Sequence, residues 1–265
     1  MSHLRVKGFV LSSIPYGENN RLIRILTPDR GILLCSARGA ARMKSPLRSV
    51  TDPFVFAEFE LFHYRERFHV NSGQGIAWFL NLREDIDRLT CAAHLAEVFL
   101  DGLKDSEPIP AAYELWAYTA HRLGESADPL LDVHIAQLRF LAEIGFRPAV
   151  TACKHCGRED GPMYFSFRDG AVFCADGDCK RQIGEGEILP LSEGAIAAVD
   201  YVTAVKPERL FHLELSRSVR HELIAFSERY LTYIMEKQYR RLQLLKDLDA
   251  FQFEFKSAGE VPAEE

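Results

Sequence analysis

The chain has 265 residues, 47% of them apolar and 26% charged, enough for real hydrophobic cores and too long for one typical domain, so two or three units are expected. No run of about eighteen apolar residues occurs, which excludes a membrane-spanning helix. The opening Met1-Ser2-His3-Leu4-Arg5-Val6-Lys7-Gly8 lacks the apolar core and cleavage site of a secretory signal, so a cytoplasmic address is expected. The net charge of −6 hides an asymmetry: residues 1–80 carry eleven Lys and Arg against six Asp and Glu, a balance of +5, whereas the remainder carries 21 against 32, a balance of −11. The basic leading unit is where an anionic polymer would dock.

The first eighty residues read as strands. Residues 7–14 are apolar and end at the loop Pro15-Tyr16-Gly17-Glu18-Asn19-Asn20. Residues 21–27 alternate Arg21, Ile23 and Ile25 against Leu22, Arg24 and Leu26, and Pro28-Asp29-Arg30-Gly31 is a turn. Residues 32–37 form a third strand, residues 54–62 a fourth with Glu58 and Glu60 on one face, and residues 68–71 a short fifth. Strands this close together, with no helix long enough to cross over, predict a small antiparallel barrel, an OB-fold first and an SH3-like barrel as the alternative.

After Gly75 the apolar period changes to three and four. Residues 78–89, 92–103, 113–123 and 133–144 read as helices, with Pro108, Pro110 and Asp128-Pro129 marking starts and Gly145 a stop. Next comes Cys153-x2-Cys156-x17-Cys174-x4-Cys179. Two close cysteine pairs can bring four thiolates to one point, the soft tetrahedral set that zinc prefers. Gly157 fits a tight knuckle, and Arg168-Asp169-Gly170 lies between two short apolar runs, which reads as a hairpin. A four-cysteine zinc ribbon follows, holding one structural Zn2+ with no open position for water. A redox Cys-x-x-Cys would follow a strand and open a helix, a context missing here. His155 is expected as an exposed neighbour of the metal, and Cys35 and Cys91 as buried thiols. Residues 192–201, capped by Ser192, and 218–245 read as further helices; residues 257–265 are small and acidic and read as a disordered end.

The expected architecture is therefore α+β and multidomain: an OB-fold over residues 1–80, a helical domain over 81–148 and 186–250, the ribbon over 149–185 inserted in it, and a flexible tail over 251–265. Gly8-Phe9-Val10-Leu11, then Pro15-Tyr16-Gly17-Glu18-Asn19-Asn20-Arg21-Leu22, Leu26-Thr27-Pro28-Asp29-Arg30-Gly31, and Ala37-Arg38-Gly39-Ala40-Ala41-Arg42 with Lys44-Ser45 stand in order along the chain. Gly145-Phe146-Arg147-Pro148 precedes the cysteines, and Leu244-Leu245-Lys246-Asp247-Leu248 follows the last helix. With this ordered set the chain resembles the RecO family of bacterial recombination mediators over nearly its whole length. Gly177-Asp178, inside a four-residue spacer where a shorter one is usual, is a departure that bears on the knuckle's shape. The resemblance implies a non-enzymatic protein of DNA repair and homologous recombination in the RecF pathway. Such a protein binds single- and double-stranded DNA, anneals complementary strands, recognises the acidic tail of the single-strand binding protein and, with RecR, helps RecA load. It implies a cytoplasmic, nucleoid-associated place of work.

The residues point the same way. Arg21, Arg24, Arg38, Arg42, Lys44 and Arg48 fall on the second and third strands and the adjoining loop, and Tyr64-Arg65 with Arg67 bracket the next hairpin. Closely set cations bind phosphates without reading sequence, and Tyr16 and Tyr64 are candidates to stack on bases. For the tail partner, Arg139 and Arg147 beside Leu138, Leu141 and Phe146 are the rim candidates; the competing reading makes these leucines core and pairs both arginines with carboxylates. No His-x-Glu ahead of Pro-Cys-x-x-Cys, no Gly-x4-Gly-Lys-Ser/Thr and no Gly-x-Ser-x-Gly occurs. His212 and His221 near Glu214 and Glu222 read as surface residues. A binding module is expected; an RNA-binding or translation-associated protein and a zinc-dependent nucleic-acid hydrolase are the alternatives.

Overall fold

The structure, a computed structural model, describes residues 2–64 and 67–245. Arg65, the last part of the Leu244-to-Leu248 motif and the tail expected over 251–265 lie outside the described residues.

Five strands close into a barrel in the order β1-β2-β3-β5-β4: β1 Ser2–Tyr16, β2 Asn20–Thr27, β3 Gly31–Ala37, β4 Phe56–Tyr64 and β5 Arg67–Ala77. All pairs are antiparallel except β3 with β5, where Cys35 stands opposite Phe68 and Ser36 opposite His69. This is an OB-like barrel rather than an SH3-like one. β1 is long enough to close it because it changes partner, pairing with β4 up to Phe9 and with β2 from Phe9 onward, across an irregularity between Val10 and Ser12. Alternation sends Val10, Ile23, Ile25, Leu33, Cys35, Phe59, Leu61 and Val70 into the interior.

Two strands, β1 and β5, are longer than the sequence predicts. β5 continues from Asn71 through Ser72, Gly73 and Gly75 to Ala77, a run poor in strand formers that is held by its ladder with β4. Gly75 has a packing reason, since a Cβ there would lie 2.3 Å from the Trp78 ring. The segment between β3 and β4 is a series of turns that seats Ala40, Leu47, Val50 and Val55 against the barrel interior.

The helices are α1 Ile86–Gly102, α2 Pro110–Glu125, α3 Pro129–Glu143, α4 Gly177–Arg181, α5 Glu193–Ala204 and α6 Arg217–Met235. Pro110 and Pro129 occupy first-turn positions, and Asp128 and Ser192 accept N-terminal amides, as their sequence positions predict. The helix expected over 78–89 is a correction. Leu80–Leu82 is a single 3-10 turn, and the true start comes at Asp85, whose carboxylate accepts from the amides of Asp87 and Arg88. The two helices expected over 78–89 and 92–103 are therefore one. The helix expected over 218–245 stops at Met235, where Glu236 turns left-handed at φ 50°, and residues 241–245 resume helix as a separate piece.

One hydrophobic core runs through the helices and the ribbon and onto the barrel's outside, taking in Phe9, Leu11, Leu26, Ile32 and Phe54. Gly31 lets the barrel meet this body closely: at φ +60° it lies where a Cβ would come within 2.3 Å of the Glu107 carbonyl oxygen, and the Ser106 amide donates to the Ile32 carbonyl at 3.0 Å.

Candidate metal centre and nucleic-acid face

The hairpin expected between the cysteine pairs forms as β6 Met163–Ser166 and β7 Ala171–Cys174, turned by Asp169 and Gly170. Asp169 is held by Ser166 Oγ at 2.7 Å and by Lys154 Nζ at 2.9 Å. A third strand, β8 Ile188–Leu191, pairs along β6. Sequence reasoning misses it because Pro190 lies inside and glycines precede it, yet an edge strand tolerates proline on its unpaired side. Phe165 of β6 packs edge-on against Phe226 of α6, with ring centroids 4.9 Å apart, and against Tyr230 at 5.6 Å. The ribbon thus shares the body's core.

The Sγ atoms of Cys153, Cys156, Cys174 and Cys179 all lie within 4.8 Å of one another, and Cys156 and Cys174 are 3.7 Å apart. Tetrahedral zinc with Zn–S bonds of about 2.3 Å needs sulfur–sulfur edges of about 3.8 Å, so the quartet fits a closed site. The knuckle supports it. Burial alone would raise the Cys153 thiol, but amides of Cys156, Cys174 and His155 point at its sulfur and bring it down to about 6. Burial and the three neighbouring sulfurs push Cys179 the other way. Four sulfurs this close cannot all be thiolates without a cation among them, and a divalent metal supplies it. The long spacer has a local cause: Asp176 caps the one-turn α4, which carries Cys179 in toward the site. His155 is exposed, and Cys35 and Cys91 are buried thiols, Cys35 raised to about 12 by burial.

The candidate DNA contacts divide. Arg38, Arg42, Lys44 and Arg48 are exposed on the turns after β3, and among the described residues none of them is in an ion pair. No Asp or Glu occurs between Asp29 and Asp52, and Asp52 is already held by Arg21 at 2.6 Å and Arg83 at 3.6 Å. Arg21 is therefore a correction to the expected phosphate contacts. It starts on the interior face of β2, and its Nη1 donates to Asp52, to Thr51 Oγ1 at 3.0 Å and to the Arg48 carbonyl at 2.9 Å. It braces the loop and neutralises the loop's own carboxylate. Arg24 is half-buried on the outer face of β2, beside a cavity of about 470 Å³ whose far wall holds Glu97 and Asp101 of α1. Tyr16, Tyr64 and Arg67 are exposed.

Arg139 does not stand at a rim. Its side chain is 12% exposed, with Nε donating to Glu143 at 2.7 Å and Nη1 to the Val205 carbonyl, while Leu138 and Leu141 are core. The competing reading, an arginine tied to a carboxylate over buried leucines, is what the structure has. Arg147 is half-exposed, 3.1 Å from Asp200, and follows the exposed Phe146. Glu222, a surface residue in the sequence reading, accepts from the Ser192 amide at 2.7 Å.

Sequence reasoning also misses a buried polar chain where α1, α3 and α6 meet. His94 Nε2 bonds Gln137 Oε1 at 2.9 Å, Gln137 Nε2 donates to Ser227 Oγ at 2.6 Å, and Ser227 Oγ lies 3.3 Å from His134 Nδ1. It lies on one wall of a cavity of about 510 Å³ closed by Tyr239, Arg240 and Leu242. Burial holds His94 below the usual histidine value, outweighing the bond to Gln137.

Among the described residues no helix is long and apolar enough to cross a membrane. The family model for the N-terminal part of recombination protein O matches residues 1–78, and the model for its C-terminal part matches residues 83–243. The chain is 33% identical to the DNA repair protein RecO of Acetivibrio thermocellus over 251 residues, covering 94% of this chain and 98% of that one. It is 27% identical to the DNA repair protein RecO of Bacillus pumilus, covering 89% and 88%, and 31% identical to that of Bacillus subtilis, covering 64% and 67%. With both halves matched in order and the barrel, helices and cysteine quartet in place, the chain belongs to the recombination protein O family, whose work is DNA repair and recombination.

Proposed function

We propose that this protein is a non-enzymatic mediator that binds single- and double-stranded DNA through the loop carrying Arg38, Arg42, Lys44 and Arg48, anneals complementary strands and, with RecR, helps RecA load onto strands covered by single-strand binding protein. The observation that carries this is the exposed, unneutralised cation run in a chain that is otherwise acidic. Phosphates attract such a run without regard to sequence, and annealing needs a surface that holds either strand and the product. The bound zinc would hold the ribbon's fold, with Cys153, Cys156, Cys174 and Cys179 as its ligands and no position left for a reacting water. Residues 1–80 act as the DNA-binding unit, and the helical part with its inserted ribbon over 149–185 as the platform for protein partners, at the nucleoid. For the acidic tail of the single-strand binding protein, Arg147 beside the exposed Phe146 offers a cation next to an apolar ring.

Annealing of complementary oligonucleotides coated with single-strand binding protein tests this reading. The wild type should accelerate it, and Arg38→Glu/Arg42→Glu should not. No acceleration by a folded, zinc-loaded wild type would overturn the reading.

A further inference from the structure

The barrel's outer face is covered only at one end, where Phe9, Leu11, Leu26 and Ile32 join the core of the helical body. At the other end the strand registers bring a second set of outward side chains together. Ser36 of β3 stands opposite His69 of β5, and His69 opposite Phe62 of β4. Two residues back along β3 and β5, Leu34 lies level with Arg67, and Arg67 stands opposite Tyr64. The rings of Phe62 and His69 are stacked, with centroids 4.9 Å apart and planes 18° apart. Leu34 and Tyr64 are 37% and 45% exposed. Burial, with Arg38 and Arg67 near its ring, holds His69 neutral at ordinary pH. Glu60, the outward carboxylate of β4 next along from Phe62, is held by Arg5 and Ser72, both at 2.8 Å, so the face presents rings and cations.

We propose that this uncovered face is a subsite for the unpaired bases of single-stranded nucleic acid, with Phe62, His69 and Tyr64 offering ring surface and Leu34 an apolar floor. The proposal rests on the DNA-binding reading above and divides its labour. The loop of Arg38–Arg48 holds phosphates of either DNA form, whereas rings on a sheet can reach only bases that are not already stacked inside a duplex. Stacking on aromatic side chains tolerates any base, which suits a protein that must accept any sequence. Arg38 and Arg67 at the margins are placed to follow the strand's backbone.

The test compares binding of a labelled single strand and a labelled duplex by fluorescence anisotropy, using the full-length zinc-loaded protein. Phe62→Ala should weaken single-strand binding about fivefold to a hundredfold, the loss of one stacked base, and leave duplex binding unchanged. Phe62→Tyr should keep wild-type affinity for both. Tyr64→Ala, on a more exposed side chain, should repeat the selective loss and serves if Phe62→Ala does not fold. Equal losses on both DNA forms, or single-strand affinity unmoved in both alanine variants while Arg38→Gln weakens both forms, would overturn the subsite. A folded wild type that binds neither DNA form would overturn the DNA-binding reading along with it.

Discussion

In the helical body, Arg122 lies 2.7 Å from Asp132, Arg220 2.7 Å from Asp128, and Lys237 2.7 Å from Asp101. In the loop after β3, Arg38, Arg42, Lys44 and Arg48 stand exposed, with no ion pair among the described residues. The two regions use the same side chains for different ends. The body is rich in carboxylates, so its cations are drawn into pairs that tie one helix to another. The loop has no acidic residue of its own before Asp52, and Arg21 and Arg83 already hold that one. A cation without an internal partner keeps its charge for an external one.

The largest expected effect sharpens the contrast by touching neither set of arginines. Cys153→Ser or Cys174→Ser should release zinc and destabilise the whole body, because the ribbon's Phe165 and Phe167 belong to the same core as Phe226 and Tyr230. A metal that binds only the folded state adds its binding energy to folding, and a loss of several kcal/mol, about 3 or more, is expected from melting curves. DNA binding by the protein that stays folded should fall less. Full zinc content and an unchanged melting curve in both variants would remove the metal from the account.

Next comes the loop. Arg38→Glu/Arg42→Glu should weaken single-strand and duplex binding together, by about tenfold to a hundredfold at low salt, since phosphate contacts do not read sequence. Thermal stability should hardly change, because neither side chain has an internal partner to lose.

The mirror experiment is Arg122→Ala. It strips a partner from Asp132, which is 3% exposed and whose carboxyl burial already raises, despite bonds from Ser126 and Arg122. A loss of about 1–3 kcal/mol in stability with DNA affinity intact is expected. A reversed pattern, with stability kept and DNA binding lost, would break the comparison.

The smallest effect is a pH dependence of stability. His94 is held below its ordinary value in the fold, so the unfolded chain binds more protons as pH falls. The stability it contributes is complete above about 6.5 and is lost as pH drops from there toward the folded value, at up to about 1.4 kcal/mol per pH unit. The groups near this histidine are Gln137, Glu97, Arg241 and Glu228. Denaturant melts at pH 7.5 and at successively lower pH, comparing the wild type with His94→Gln, should show a shallower pH slope in the variant.

Much of this was legible in the residues, for local reasons. Pro110, Pro129, Asp128 and Ser192 each act within one turn of chain, and Asp169-Gly170 makes its turn unaided, so spacing alone locates them. The four cysteines announce their site by separation and type. What stayed hidden depends on partners distant in sequence. β8 exists because β6 offers an edge, and β5 runs on through Ser72, Gly73 and Gly75 because β4 is beside it. Arg21 reads as one more surface cation until the fold turns it toward Asp52, thirty-one residues away. Arg139 likewise becomes structural only when Val205 arrives above it. Residues 78–89 keep an apolar spacing across a real break, and Asp85 outweighs that spacing by capping the helix that follows.

The central claim, that the loop's unpaired cations are the phosphate contacts, is tested most directly by the salt dependence of DNA binding. Wild type and Arg38→Gln/Arg42→Gln would be titrated with one single strand over a range of salt concentrations. Each lost phosphate contact should flatten the slope of log K against log salt by about 0.7, so the double variant should be shallower by about 1.4. Identical slopes, with affinity reduced or not, would place the phosphate contacts elsewhere and contradict the account.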